Sequence, residues 1–275
     1  MTGVGRADDE NDRGTSPTDR VRRAVHDSWV EAGRHLRIMP RNPEMLLIAV
    51  AQPVMFVLLF SVVFGEAIAV PGFDDYHQFL IPGILVQGIV FGSTFTSVGI
   101  AEDMQKGFID RLRTLPISRA AVPIGRTLSD LARSVLTFAA TLVVAFLIGF
   151  RFSGSVADVV AATALILGFG YALSWVQAFV GVSVDSVEAA SAAGSIWMFP
   201  LTFVSSAFVD PGQMPSWLQP VARNNPFTIV IDASRALFNG MPVGSSVWLT
   251  IVWSVGIAVV FATLSIRRFG RSTTA

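Results

Sequence analysis

Long apolar stretches separated by short polar segments dominate the pattern of this 275-residue chain. A helix needs about 20 predominantly apolar residues to cross the roughly 30 Å hydrocarbon core of a bilayer, so each stretch predicts a membrane span. Five stretches meet this length outright, and a sixth closes the chain. The sequence therefore predicts an all-helical, polytopic membrane protein with six transmembrane helices, at about residues 45–64, 79–100, 132–150, 156–184, 189–209 and 247–266.

Composition agrees with this pattern and argues against a water-soluble domain. Hydrophobic residues make up 52% of the chain and charged residues 15%, with a mean hydropathy of +0.58. Soluble domains carry about 25% charged residues. The chain has no cysteine, and its three histidines (His26, His35 and His77) lack ligand spacing, so neither disulfides nor a metal site are expected. No nucleic-acid partner is expected either.

The basic residues are distributed unevenly along the chain. Seventeen of the 20 lysines and arginines lie before residue 45, between residues 102 and 133, or after residue 266. By the positive-inside rule both termini are predicted to face the cytoplasm, in a multi-pass protein of the bacterial cytoplasmic membrane. Residues 65–78 and 210–246 then face outward. The turn at residues 185–188 carries no basic residue, so only the parity of the spans places it inside.

The segment before the first span divides into two parts. Residues 1–19 are polar and without periodicity, which predicts a disordered cytoplasmic tail preceding a transmembrane domain at residues 20–270. An N-terminal amphipathic elbow helix is predicted next, lying on membrane lipid with its arginines near anionic headgroups. A solvated charged helix is the alternative. The apolar residues at helical spacing are Val21, Val25, Trp29, Ala32 and Leu36.

The loop between the second and third predicted spans has a helical pattern of its own. Met104, Phe108, Leu112 and Leu115 recur at spacings of four, four and three residues, and Pro116 would end the helix. A short amphipathic helix outside the membrane needs an apolar partner. Lipid headgroups and a second protein both satisfy this need, and the pattern alone does not choose between them.

Several landmarks occur in order along the six predicted spans, and together they carry a family resemblance. The chain resembles the membrane subunits of type-2 ABC exporters, especially the daunorubicin-resistance permease group, over about residues 30–270. One departure is Ser205-Ser206, where the family often has Ser-Gly. The landmarks are residues 37–43 leading into 52–56 (QPVMF), the loop 102–119 with 112–119 (LRTLPISR), Glu188, residues 199–211, 214–218 and 225–227, Asp232 and residues 235–237.

The resemblance implies a non-catalytic permease subunit that works with other subunits. Met104 to Pro116 would be a coupling helix docked on a separate P-loop ATPase, which would bind the ATP and Mg²⁺, and a second permease copy would complete the pore. Lys106, the only lysine, is followed by Gly107 and Phe108, so the chain lacks a P-loop of its own. The residues implied in coupling are Glu102, Met104, Phe108, Leu112, Arg113, Leu115 and Pro116.

Three other interpretations remain open. An ion-gradient-driven secondary transporter usually keeps charged relays inside its spans, and the predicted span interiors here are nearly free of them. A membrane scaffold would leave the patterned loop unexplained. Polysaccharide and glycolipid exporters share the same architecture as exporters of drugs, natural products and lipids, so the sequence does not fix the substrate.

A small amphipathic substrate would suit the polar and aromatic side chains within the spans. The alternative is that these aromatics face lipid or core and that small residues such as Gly170, Ser174, Ala178, Ala190 and Gly194 only allow close packing. The possible path residues are Gln52, Gln87, Phe91, Phe95, Trp175, Gln177, Met198 and Phe203.

The long segment before the last span shows helical spacing and is predicted to fold back into the outer interface. Asp232 and Arg235 are three residues apart within it. Trp217 and Trp248 would anchor its ends among headgroups. The resemblance adds a pair of outer re-entrant helices here. The apolar positions that recur are Phe227, Val230, Ile231 and Phe238, together with Ser234.

Overall fold

The computed structural model describes residues 43–64, 72–73, 75–106 and 121–272. All regular structure in these ranges is helical, which confirms the all-helical class. The predicted tail, the N-terminal elbow helix and most of the patterned loop lie outside the described residues. The helices are α1 (Pro43–Phe64), α2 (Tyr76–Gly92), α3 (Thr94–Gln105), α4 (Ala121–Leu147), α5 (Val156–Gly181), α6 (Val187–Ile196), α7 (Met198–Phe203), α8 (Gln219–Asn224), α9 (Pro226–Phe238) and α10 (Ser246–Ser272), with a 3₁₀ turn at Pro211–Gln213.

Four helical stretches within the described ranges are long and apolar enough to cross a membrane. The predicted first span contains a shorter apolar stretch, Val50–Val63, within the 22-residue α1. The predicted fifth span is divided into α6 and α7, of 10 and 6 residues. The count of six spans therefore stays a prediction. The four long stretches are Tyr76–Gln105, Ile124–Leu147, Val156–Gly181 and Ser246–Phe269.

In three of the predicted spans the helices differ from the predicted ranges in extent or continuity. The second predicted span lies within the candidate span Tyr76–Gln105, in which the single turn residue Ser93 separates α2 from α3. The third begins at Ala121 instead of residue 132 and ends at Leu147. Its end is a Schellman turn, in which Gly149 (φ 108°) allows the Phe150 amide to donate to the Ala145 carbonyl at 3.0 Å. The fifth is interrupted at Trp197, three residues before Pro200.

The predicted helix before the last span is confirmed as α9, and local sequence explains both of its ends. Asn225 caps the helix by accepting from the Phe227 amide at 2.9 Å, and Pro226 occupies the first helical position. Gly240 (φ 64°) lets the Met241 amide donate to the Ala236 carbonyl at 2.8 Å in a second Schellman turn. The five residues predicted at helical spacing are all buried: Phe227, Val230, Ile231, Ser234 and Phe238.

Helices α2 and α5 form the centre of the packing, and small residues bring the elements close. A side chain added at Gly83 would collide with the backbone of Ala207, and one at Gly170 would collide with Ile89. These contacts agree with the packing interpretation of the small-residue stripe. A second apolar cluster joins α3, α5 and α10 through Ile100, Trp175 and Phe269.

Candidate functional site

The interruptions at Ser93 and Trp197 face each other inside the bundle. Phe91 and Phe199, on one side of the two interruptions, pack edge to face with their ring centroids 4.9 Å apart. Just after the first interruption, the Thr94 hydroxyl lies 3.6 Å from the sulfur of Met198, the residue that follows the second interruption. The residues flanking both interruptions are therefore in direct contact.

Gln177 of α5 lies against the second interruption. Its Nε2 donates to the Gly194 carbonyl at 2.9 Å and lies 3.8 Å from the Met198 sulfur. The absence of a side chain at Gly194 allows this approach, since a Cβ there would lie 2.6 Å from Gln177 Oε1. In the part of the chain that the structure describes, Gln177 Oε1 has no hydrogen-bond partner, and neither has Gln87 Oε1 of α2. Both glutamines are buried, so the bundle interior contains free acceptors.

The structure brings only some of the predicted path residues together. Gln177 and Met198 are in contact, and Phe91 is close by across the interruptions. Trp175 instead packs in the separate cluster with Phe269. The others occupy different surroundings: Gln52 is half-buried in α1, Gln87 is buried in α2, Phe95 lies under Arg133, and Phe203 is exposed beside Phe208.

A buried charge network lies where α3 packs against α4. Arg133 Nη2 is 2.7 Å from Asp130 Oδ1, and the Thr96 hydroxyl of α3 donates to Asp130 Oδ2. Arg126 Nε lies 4.0 Å from the same Oδ2, and its guanidinium packs against Gly99, where a side chain would collide with it. Asp130 is 3% exposed and Arg133 is 9% exposed. One negative and one positive charge are thus buried, beside the partly buried Arg126.

The arginines of this network also bond the backbone at the first interruption. The Thr96 amide donates to the Ser93 carbonyl at 2.9 Å, three residues back, where an α-helical bond would use Gly92. The Gly92 carbonyl instead accepts from Arg133 Nη2 at 3.0 Å, and the Phe95 carbonyl accepts from Arg126 Nη2 at 3.3 Å. Satisfying a buried carbonyl in this way stabilises the interruption.

At the opposite end of α2, Arg235 fastens α9 to the bundle. Its Nε donates to the Phe79 carbonyl at 3.0 Å, its Nη2 to the Ser206 carbonyl at 2.7 Å, and its Nη1 lies 2.8 Å from Asp232 Oδ1. Burial lowers the pKa of Arg235 to about 10, against the opposing effect of Asp232, so the guanidinium stays charged at neutral pH. The Ser206 hydroxyl donates to Asp232 Oδ1 at 2.6 Å and so takes part in this attachment.

A second α9 contact compensates for a proline in α2. Pro82 has no N–H to donate to the Gln78 carbonyl four residues earlier. Asn239 Nδ2 donates to that carbonyl at 3.2 Å and also to the Arg235 carbonyl at 2.8 Å. The end of α9 therefore supplies a hydrogen bond that α2 cannot make internally.

Only two of the predicted coupling residues are within the described ranges. Glu102 forms an ion pair with Lys106 at 3.1 Å. Met104 belongs to α3 and packs on the cluster around Trp175, so a separate helix does not begin there. The remaining five, Phe108, Leu112, Arg113, Leu115 and Pro116, lie outside the described residues.

The turn between α5 and α6 lies at the same end of the bundle as this loop. Gln105 Nε2, at the end of α3, is 3.4 Å from the Asp185 carbonyl. Glu188 lies in the first turn of α6, where a negative charge favours the positive end of the helix dipole. The side predicted for residues 185–188 from span parity is thus the side of the patterned loop.

Comparison with known families identifies the architecture that these elements form. The family model described as ABC-2 type transporter matches residues 28–239, which is more than half of the chain. The chain belongs to the ABC-2 type transporter family. Within this ABC-2 fold, the match extends from before α1 to just past α9 and includes both interruptions and both polar networks.

Curated relatives cover most of this ABC-2 chain. The daunorubicin resistance ABC transporter permease protein of Streptomyces coeruleorubidus is 36% identical over 246 residues, or 90% of this chain and 87% of the relative. A probable doxorubicin resistance ABC transporter permease protein of Mycobacterium tuberculosis is 28% identical over 244 residues, covering 86% of each chain. Both names describe permeases.

Sequence reasoning missed the charge network of α4. The predicted boundary puts Arg133 at a span end, whereas the candidate span Ile124–Leu147 begins earlier and contains all three network residues. A signal was present, because positions 126, 130 and 133 lie on one face of a helix. Because the predicted span began at residue 132, positions 126 and 130 were left outside it and the spacing was not recognised.

Proposed function

We propose that this chain is the membrane-spanning permease subunit of an ATP-driven exporter that moves an amphipathic compound out of the cytoplasm. The observation that carries the proposal is the 36% identity to a daunorubicin resistance permease over 90% of this chain. The apolar helices α4, α5 and α10 supply the membrane-spanning framework that such a subunit needs.

The working assembly in this proposal contains two permease copies and two ATPase subunits, with six spans per copy and both termini in the cytoplasm. Support for a second copy comes from the exposed apolar side chains of α1 and α7, which present surface to lipid or to another helix. Examples are Met55, Leu59 and Val62 on α1 and Phe199 and Phe203 on α7. One copy of six helices is too few to enclose a large solute.

The ATPase would dock on the loop at residues 107–120, since α3 ends and α4 begins at that end of the bundle. ATP and Mg²⁺ would bind to the ATPase, and no cofactor is assigned to this chain. The turn at residues 185–188 lies at the same end and could add to the docking surface. Replacing Phe108 and Leu112 with aspartate should weaken co-purification of the ATPase, because unpaired charge would enter an apolar contact.

The substrate class in this proposal is a drug, natural product or lipid with an aromatic, amphipathic body. The paired rings of Phe91 and Phe199 and the free acceptors of Gln87 and Gln177 suit such a solute better than a heavily hydroxylated glycan, which needs many hydrogen bonds. Export of a polysaccharide or glycolipid is the alternative.

Drug efflux from intact cells tests the proposal. Bacteria expressing this chain together with its ATPase should accumulate less daunorubicin than cells expressing either subunit alone. Single cysteines at Ser118 and Ser216 should react with an impermeant reagent from opposite sides, and the chain has no native cysteine to interfere. Equal daunorubicin accumulation in all three strains, at matched expression, would contradict the proposed function.

A further inference from the structure

We propose that Thr96 and Asp130 are positioning residues for energy coupling, which join α3 and α4 into one unit that carries a displacement of the helix ends at Gln105 and Ala121 to the interruption at Ser93. This inference rests on the proposed function. It concerns the contact between the two helices that flank the loop and is independent of which drug is exported.

The contact between Thr96 and Asp130 joins the two helices that flank the loop. Helix α3 ends at Gln105 and α4 begins at Ala121, so a partner that moves the loop acts on both helices at once. Asp130 ties them together, because one carboxylate oxygen accepts from Thr96 of α3 and the other is 2.7 Å from Arg133 of α4. Together with the bond from Arg126 to the Phe95 carbonyl and the stacking of Arg133 on the Phe95 ring, this tie resists sliding of α3 along α4.

The same network reaches the interruption at Ser93 between α2 and α3. Arg133 bonds the Gly92 carbonyl and Arg126 bonds the Phe95 carbonyl, on either side of Ser93. Beyond Ser93, Thr94 contacts Met198 at the second interruption. A displacement of α4 relative to α2 therefore acts on the backbone at the first interruption and, through Thr94, on the second.

Burying Asp130 and Arg133 is costly, and a packed apolar contact could hold two helices together at less cost. Ionisable groups within membrane-spanning helices are rare and tend to mark working parts of transporters. The bonds of the network are directional, so they fix the position of α3 along α4 more specifically than apolar packing would. We therefore assign the network to coupling and not only to stability.

Thr96→Val tests the link with the least disturbance, since it keeps the shape of the side chain and removes only the hydroxyl. Thr96→Ser restores the hydroxyl. Thr141→Val is the matched control, because Thr141 is also buried but bonds only the Thr137 carbonyl within α4. Each variant is expressed with the ATPase, and inside-out vesicles are used to measure daunorubicin transported per ATP hydrolysed.

We expect Thr96→Val to lower this ratio by about 2- to 30-fold, the range seen for substitutions along coupled networks, with ATP hydrolysis and complex yield retained. Thr96→Ser and Thr141→Val should keep the wild-type ratio. An unchanged ratio in Thr96→Val overturns the inference. A Thr96→Val complex that fails to assemble, while Thr96→Ser assembles, also overturns it, because the contact is then purely structural.

A second measurement does not depend on the transported compound. Hydrogen exchange of the amides at residues 93–97 should change when the ATPase is trapped with ATP and vanadate, in the wild-type complex and in Thr96→Ser but not in Thr96→Val. The same nucleotide-dependent change in Thr96→Val overturns the coupling inference. Absence of ATP-dependent daunorubicin transport by the wild-type complex would instead count against the proposed function.

Discussion

Two of the parts of the bundle that are long and apolar enough to cross a membrane are α2 with α3, and α10. The first is mostly buried within the protein, whereas the second is mostly exposed on its surface. In the most apolar window of Tyr76–Gln105, 72% of the residues are buried within the protein, against 11% for Ser246–Phe269. The buried pair contains the glycines, serines and glutamine that permit close contacts, while α10 presents Trp253, Val255 and Val259 outward.

This difference shows how a membrane protein distributes its apolar residues. Lipid tails are as apolar as leucine, so moving an aliphatic helix surface from lipid into the bundle gains no hydrophobic free energy. Close backbone approach and polar contacts select the interior helix instead. Substitutions should accordingly be costly where α2 contacts its neighbours and nearly neutral on the exposed face of α10.

The largest effect is expected at Arg235, which bonds the Phe79 carbonyl of α2. Arg235→Met would leave Asp232 and two backbone carbonyls without their partner, at a cost of about 3–5 kcal/mol in the free energy of unfolding. Arg223→Met, on an exposed arginine of the neighbouring α8, should change it by less than about 0.5 kcal/mol. Unfolding of the two variants in detergent measures the difference, and equal losses would contradict the attachment of α9.

The next effect compares two glycines. Gly83→Ala places a methyl group against the backbone of Ala207 and should cost about 1–3 kcal/mol through overpacking. Gly256→Ala in α10 meets no atom within 4 Å and should be neutral or stabilising by up to about 1 kcal/mol, because alanine favours helix. Thermal midpoints in detergent report both. A destabilised Gly256→Ala with an unaffected Gly83→Ala would reverse the comparison.

A buried and an exposed valine allow the contribution of apolar packing to the free energy of unfolding to be compared. Val90 of α2 is 1% exposed and Val259 of α10 is 60% exposed. Val90→Ala should cost about 1–2 kcal/mol from the lost packing and the cavity, whereas Val259→Ala should stay within about 0.5 kcal/mol. The same unfolding assay applies. A similar cost at both positions would show that α10 is covered by another protein surface.

The smallest effect concerns the carbonyl that Pro82 leaves free. Asn239→Ala should cost about 1 kcal/mol in the wild-type background. In a Pro82→Ala background the cost should fall, because the substituted residue has a backbone amide that can donate to the Gln78 carbonyl. A double-mutant cycle on the free energy of unfolding measures this coupling. Strict additivity would mean that the Asn239 contact does not compensate for the proline.

Hydropathy located the apolar stretches well because transfer from water to lipid depends on composition over some 20 residues. The spacing of Phe227, Val230 and Ile231 predicted α9 correctly for a similar reason, since burial follows one helical face. Hydropathy and helical spacing are both properties of residues close together in the sequence. They can therefore be read without knowing which other helices pack nearby.

The interruption at Ser93 and the bonds of the polar networks depend on single atoms and were not predicted. The Gly92-Ser93 pair at the first interruption is a known type of kink signal, yet it lies inside an uninterrupted apolar run. The Arg235 contacts need the Phe79 carbonyl, 156 positions away in the chain. Periodicity cannot identify such a distant partner. For the same reason, only some of the predicted path residues lie together in the structure.

Transport by purified components tests the proposed function most directly. Proteoliposomes containing this chain and its ATPase should move daunorubicin when ATP is supplied and should continue after the proton gradient is collapsed. Asp130 lies in a candidate span, but Thr96 and Arg133 occupy its two oxygens, which makes it a poor proton relay. Proteoliposomes of this chain alone should therefore be inactive, and daunorubicin movement driven by a pH gradient without the ATPase would contradict an ATP-driven permease.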